Sequence, residues 1–210
     1  MEDLLESLEV SVPARPARRL VGIAGGPGAG KSTLASWLVR EWNRRERGDV
    51  ATAAYVPMDG FHLANAELAR LGRADRKGAP DTFDAAGYVA LLRRLRDDGG
   101  ETVWAPAFGR ALEEPIAGAI AVDPAVRLVV TEGNYLLLDD PPWDDVPRLL
   151  DDTWFLEAPE DLRVERLVAR HVEYGRTPAE AWARALGSDG ANAARVAASR
   201  GRAGRVIVLT

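Results

Sequence analysis

Eight residues, Gly25-Gly26-Pro27-Gly28-Ala29-Gly30-Lys31-Ser32, spell G-x-x-x-x-G-K-[ST] directly after the apolar run Leu20-Val21-Gly22-Ile23-Ala24. Such a strand, glycine-rich turn and helix restrict the chain to folds that end a buried strand at a helix N-terminus. The glycines at 25, 28 and 30 let the backbone curl, so successive N–H groups point at one polyphosphate while the helix aims its positive dipole end at the same anion. Lys31 is expected to reach the β- and γ-phosphates and Ser32 to ligate Mg²⁺, with Gly26, Pro27, Ala29 and Thr33 completing the cradle. A glycine turn with no phosphate to hold has no reason to carry Lys-Ser at that offset.

The 210 residues, 47% of them hydrophobic, suit one compact domain with a substantial core. A net charge of -5 gives no field to hold a nucleic-acid backbone, so no nucleic-acid polymer is expected and the partner is a small molecule. The absence of cysteine excludes disulfides, thiolate metal sites and a cysteine nucleophile, and two histidines leave little for zinc. The acidic start Met1-Glu2-Asp3 lacks the basic region and long apolar core of a signal peptide, and no stretch approaches a membrane span. A cytoplasmic protein without a membrane partner is expected, and a homodimer is compatible with it.

Along the chain, apolar strands alternate with amphipathic helices. Residues 1–12 read as a short helix with Leu4, Leu5 and Leu8 on one side, an appendage broken off at Pro13-Ala14-Arg15-Pro16. The extension is bounded at 1–19 and the domain at 20–210. Helices are expected at 33–47 (Leu34, Trp37, Leu38 and Trp42 inward, stopped by Gly48-Asp49), 83–97 (stopped by Asp98-Gly99-Gly100), 161–172, 178–186 and 191–199, with a short helical stretch at 143–150. Strands are expected at 20–24, 50–56, 127–131, 153–157 and 205–209, with a short one at 102–104; residues 63–82 read as a polar surface excursion. This alternation implies an α/β fold whose parallel sheet is covered on both faces.

Asp59 falls just past a strand end, where open parallel sheets place their ligand crevice. A carboxylate there can take a proton from an attacking hydroxyl, although Asp59-Gly60 is also an ordinary turn pair. Glu132 follows Leu128-Val129-Val130-Thr131 at the position of a Walker-B-type acid, with Gly133 beside it to allow close backbone approach. Arg163, Arg166 and Arg170 recur at helical spacing and could close over a polyphosphate; the intervening Glu165 equally suits a solvated helix face. His62 and His171 read as hydrogen-bonded or surface residues, and spacing assigns Arg110 no role.

Five further segments follow the phosphate loop in order: Val56-Pro57-Met58-Asp59-Gly60-Phe61-His62, Lys77-Gly78-Ala79-Pro80-Asp81-Thr82-Phe83-Asp84, Val103-Trp104-Ala105-Pro106-Ala107-Phe108, Val130-Thr131-Glu132-Gly133-Asn134 and Ala158-Pro159-Glu160-Asp161-Leu162. With them the chain resembles the phosphoribulokinase, uridine kinase and type I pantothenate kinase superfamily over about residues 20–171. The resemblance implies a three-layer P-loop NTPase fold: a mainly parallel sheet of about five strands, helices on both faces and a small helical lid at about 161–190. It implies ATP- and Mg²⁺-dependent phosphoryl transfer to a hydroxyl of a small metabolite, a nucleoside, sugar or pantothenate-like alcohol. Asp59 then matches the catalytic aspartate, Glu132 the metal-side acid and Arg170 the lid arginine. Phe61, His62, Phe83, Arg110, Glu132 and Asn134 are expected around the acceptor, and Asn192 at the nucleotide base.

The chain is much shorter than pantothenate kinases, carries Arg110 where they have a histidine, and from Glu173 onward lacks their aromatic pocket. The histidine motif of uridine kinases is also missing. Its similarity is greatest to the short branch called nucleoside/nucleotide kinase-like or fructose-transport-system kinase-like, and pantothenate is not expected to be the best acceptor. The alternative function is a nucleotide-dependent switch or binding protein with no small acceptor. Against it, the chain has no Asn-Lys-x-Asp guanine signature and no glutamine suited to positioning water.

Overall fold

The computed structural model describes residues 2–9, 18–46, 50–97 and 100–209. In chain order the elements are α1 (Glu2–Glu9), β1 (Arg19–Ala24), α2 (Lys31–Glu46), β2 (Ala53–Pro57), α3 (Asn65–Arg70), α4 (Ala85–Arg96), β3 (Val103–Gly109), β4 (Glu114–Val122), β5 (Leu128–Gly133), β6 (Asp152–Glu157), α5 (Glu160–Glu173), α6 (Pro178–Leu186), α7 (Ser188–Ala198) and β7 (Arg205–Val208). Short 3₁₀ turns punctuate them, among them Met58–Phe61 directly after β2. The breaks expected at residues 13–16 and 48–49, the last residue of the 33–47 helix, and the stop at Asp98-Gly99 lie outside the described residues.

Five strands form one sheet in the order β2-β5-β1-β6-β7, and every pairing in it is parallel. Every residue of β1 and β5 is buried, which matches strands with helices on both faces. Alternation sorts their side chains. Leu20, Ala24, Val129 and Phe155 enter one core with α4, residues 135–138 and Val196 of α7. Val21, Ile23, Val130, Trp154 and Leu156 enter the other, against Leu34, Ala35, Leu38 and Trp42 of α2. Two of the helices are fixed at their starts by side-chain caps. Asp84 accepts from the Gly87 N–H to begin α4, and Thr177 and Glu180 form a reciprocal capping box at α6.

Three departures from the sequence reading have physical causes. Helix α1 is no loose appendage: Leu5 and Leu8 are 1% and 0% exposed within the α2-side core. The segment at 63–82 holds the short α3 and anchors itself through Leu68 and Thr82, both fully buried, with too few turns to show periodicity. The short strand expected at 102–104 is the start of β3, which pairs antiparallel with β4 as a separate two-stranded ribbon. Strand β4 exposes most of its small apolar residues and carries Gly118 at φ 64°, so it shows no in-out alternation to read. No helix among the described residues is long and apolar enough to cross a membrane.

The burial of α1 gives a direct stability test. Leu8→Ala should cost about 2–5 kcal/mol in urea denaturation, the range for a fully buried leucine. A loss below about 0.5 kcal/mol, ordinary for a surface substitution, would show that α1 does not belong to the core.

Candidate active site

The chain leaves β1 for β2 on one side of the sheet and leaves β5 for β6 on the other, so the β1 and β5 ends flank the topological switch point. The parallel register sets Ile23 and Pro57 on either side of Glu132, and Ala24 beside Gly133. Three chain exits therefore open on one crevice: the phosphate loop after Ala24, the Met58–Phe61 turn after Pro57, and Asn134 after Gly133. They line a cavity of about 720 Å³ that extends to α5, α6 and α7.

The phosphate loop is held from behind as well as along its length. Gly28 has φ 78°, and a Cβ there would come within 2.6 Å of the Arg163 carbonyl oxygen, so both conformation and contact require glycine. Arg163 donates to Pro27 O at 3.0 Å, and Arg166 lies 3.5 Å from Gly28 O. The hydrogen bond from Leu34 N–H to Gly30 O opens α2. The N–H groups of Lys31, Ser32 and Thr33 consequently have no intrahelical partner and stand at the cavity wall.

Behind that loop lies a buried pair of opposite charges. Lys31 Nζ donates to Gly26 O at 3.0 Å and to Asn134 Oδ1 at 2.8 Å. Ser32 Oγ and Tyr55 Oη both donate to Glu132 Oε1, at 2.9 and 2.6 Å. Burial pulls the Lys31 ammonium pKa down, opposed by the charges of Glu132 and Asp59. Burial pushes the Glu132 carboxyl up, opposed chiefly by Lys31 and then by the Tyr55 and Ser32 hydrogen bonds, with Asp59 reinforcing the rise. Gly133 permits this crowding, since a Cβ there would meet Met58 Cβ and Sδ at 2.6 Å.

At the opposite wall, Asp59 Oδ2 accepts from Arg110 Nη2 at 2.9 Å, with both side chains partly exposed. His62 Nδ1 lies 2.8 Å from Asp59 O, its ring set between Phe83 and Phe108 at centroid distances of 4.0 and 4.7 Å. Burial lowers the His62 pKa, which favours the neutral ring. Arg170 also faces the cavity; burial, then repulsion from Arg110, lowers its pKa.

The structure thus brings together Gly28, Gly30, Lys31, Ser32, Thr33, Asp59, His62, Phe83, Arg110, Glu132, Asn134 and Arg170 around one space. Phe61 turns away, its ring edge-on to Tyr88 at 5.2 Å against the core. Gly25, Gly26 and Ala29 are buried in the loop's backbone turn and do not line the cavity; Pro27 does. Asn192 also lines the cavity, beside the Lys77-Gly78 segment, donating to Gly78 O at 3.3 Å. His171 is paired with Asp189 at 2.7 Å. The sequence reading missed Tyr55, which sits in an apolar strand and reads as core. Its signal was the strand period of two, which puts it on the same face as Pro57, the residue opposite Glu132.

Tyr55 supplies a prediction with a definite sign. Its hydrogen bond favours the charged carboxylate, so Tyr55→Phe should raise the Glu132 pKa further. Carbon-detected NMR titration of the Glu132 carboxyl checks this, and an unchanged or lowered midpoint would contradict it.

No protein-family model matches the chain. It is 36% identical over 177 residues to a protein named "putative uridine kinase" in Schizosaccharomyces pombe, covering 82% of this chain and 74% of that one. It is 34% identical over 208 residues to the uncharacterized Escherichia coli protein YggC, covering 99% and 85%. A crystal structure described as a putative fructose transport system kinase from Silicibacter sp. TM1040 superposes with a TM-score of 0.87 at 41% identity, covering 98% of this chain and 97% of that one. The shared fold, the nearly complete phosphate site and identity sustained over most of both chains lead to one conclusion: this chain is a nucleotide-binding P-loop kinase of the superfamily that contains the phosphoribulokinases, uridine kinases and type I pantothenate kinases.

Proposed function

We propose that the cavity binds MgATP at the phosphate loop and transfers the γ-phosphoryl group to a hydroxyl of a small metabolite. The observation that carries this reading is the convergence of Lys31, the Ser32–Glu132 pair and Asp59 on one crevice. Ser32 and Glu132 are hard oxygen donors 2.9 Å apart, which fits a cation shared with phosphate oxygens. Among the described residues no group of three or more His, Cys, Asp or Glu could hold an ion alone. Mg²⁺ bound there supplies charge neutralisation for the phosphates.

In the proposed reaction the unpartnered N–H groups at the start of α2 and the Lys31 ammonium hold the β- and γ-phosphates. Asp59 accepts the acceptor's hydroxyl proton as the oxygen forms its bond to the γ-phosphorus, and the bond to the ADP oxygen breaks. Arg170, with Arg166 behind it, stabilises negative charge on the transferring group. Asn192 lines the same cavity as the phosphate loop, beside Lys77-Gly78. A second cavity of about 790 Å³, bordered by Gly30, Thr33, Trp37, Arg166 and Leu209, adjoins the end of the phosphate loop and offers another place for the base.

Asp59→Asn separates this mechanism from a structural role. Acceptor phosphorylation should fall by roughly 10²- to 10⁴-fold, while the ATP dissociation constant, measured by calorimetry, changes far less. Full phosphorylation by the variant would overturn the base assignment. A loss of ATP affinity in proportion to turnover would instead make Asp59 a metal-side or structural carboxylate and turn attention to Glu132 as the base.

A further inference from the structure

The whole chain carries a net charge of -5, yet the main cavity is lined by seven Lys and Arg side chains against four carboxylates. MgATP brings roughly two net negative charges, which leaves positive charge unmatched. Much of the surplus stands away from the phosphate loop. Lys77 and Arg110 both lie over the Phe108 ring, at 5.1 and 5.4 Å, and Arg184 donates to Lys77 O at 2.7 Å. Lys77 has Glu113 within 3.7 Å and Arg110 has Asp59, but the Arg170 side chain makes no hydrogen bond or ion pair with any described residue. Repulsion between Arg110 and Arg170 is the strongest charge effect on Arg170. Two guanidinium groups face one space; Asp59 pairs with Arg110 and is also the carboxylate that acts most strongly on Arg170, ahead of Asp189 and Glu113.

That carboxylate is the proposed base, and its Oδ2 is occupied by Arg110. Arg110 opens the turn between β3 and β4, so its side chain can pivot without moving either strand. With the Arg110 and Asp59 side chains 40% and 30% exposed, the pair is screened by solvent and readily exchanged for a better anion. A carboxylate or phosphate ester offers the guanidinium two parallel hydrogen bonds, where Asp59 now receives one.

We propose that the acceptor is an anionic alcohol, bearing a carboxylate or a phosphate ester besides the hydroxyl that is phosphorylated, and that Arg110 binds this anion. Acceptor binding then draws the guanidinium off Asp59 and frees Oδ2 for the hydroxyl proton. This rests on the kinase reading above and narrows it. Arg110 becomes the residue that selects the acceptor and couples its arrival to the base.

The test uses matched acceptors with the full chain and MgATP: ribose, ribonate and ribose 5-phosphate; glycerol, glycerate and glycerol 3-phosphate; and uridine and pantothenate. ADP release is followed and products are identified by mass spectrometry. An anionic member should exceed its neutral counterpart in kcat/KM by at least about tenfold, the carboxylate and phosphate arms showing which anion is preferred. For that member Arg110→Gln should raise KM by roughly 10- to 100-fold with a smaller change in kcat, and Arg110→Lys should recover part of the loss. A neutral alcohol as the best acceptor, or an unchanged KM in Arg110→Gln, would overturn the proposal and leave the kinase reading standing. No phosphorylated product in any arm would instead count against the kinase reading itself.

Discussion

Parallel hydrogen bonding of β5 between β1 and β2 sets where the reactive groups stand. Because Glu132 lies opposite Ile23 on one side and Pro57 on the other, the three strands end at one level. The loops that leave them must then open on the same crevice. A shift of one residue in either pairing would turn Glu132 to the other face of the sheet, since side chains alternate along a strand. The register is held by the two apolar cores, which take alternate residues of β1 and β5, so the geometry of the crevice and hydrophobic packing are one constraint.

Within the crevice, burial acts against each charge separately and their proximity acts for the pair. Lys31 and Glu132 are 7% and 4% exposed, and each is pushed toward its neutral form by lost hydration. Their mutual attraction, the two hydrogen bonds on Glu132 Oε1 and those from Lys31 to Gly26 and Asn134 oppose that push. Buried donors already aimed at one position give strong electrostatic stabilisation of a transferring phosphate, because little reorganisation is needed during reaction. The Asp59–Arg110 side differs. It is half open to solvent, and its ion pair is of the exchangeable kind that a ligand can displace.

The phosphate loop, a parallel sheet covered on both faces and most helix positions were legible in the sequence because each leaves a local mark, while the count of about five strands came from the family resemblance. Glycines at fixed offsets, fully apolar strands such as Leu128-Val129-Val130 and capped amphipathic helices are read without tertiary knowledge. What escaped depends on the third dimension. The Leu4-Leu5-Leu8 face of α1 was legible, but its burial depends on the α2-side core it meets, which its own eight residues do not announce. Strand β4 is exposed along much of its length and so has no alternation. Phe61 and His62 are adjacent in sequence and were read together, yet the 3₁₀ turn sends one ring to Tyr88 in the core and the other between Phe83 and Phe108. The Arg110–Asp59 pair joins residues 51 positions apart, which no local pattern could announce.

The central claim, that this crevice passes a phosphoryl group from ATP to a small hydroxyl compound, is tested most directly by following the group itself. ATP labelled in its γ-phosphate would be incubated with the protein and a pool of low-molecular-weight metabolites, and the label separated into inorganic phosphate and phosphoester. The account predicts label in a small-molecule phosphoester, formed only when the pool is present and abolished in Lys31→Ala. Label released solely as inorganic phosphate, at the same rate with and without the pool, would contradict it and identify a nucleotide-driven switch.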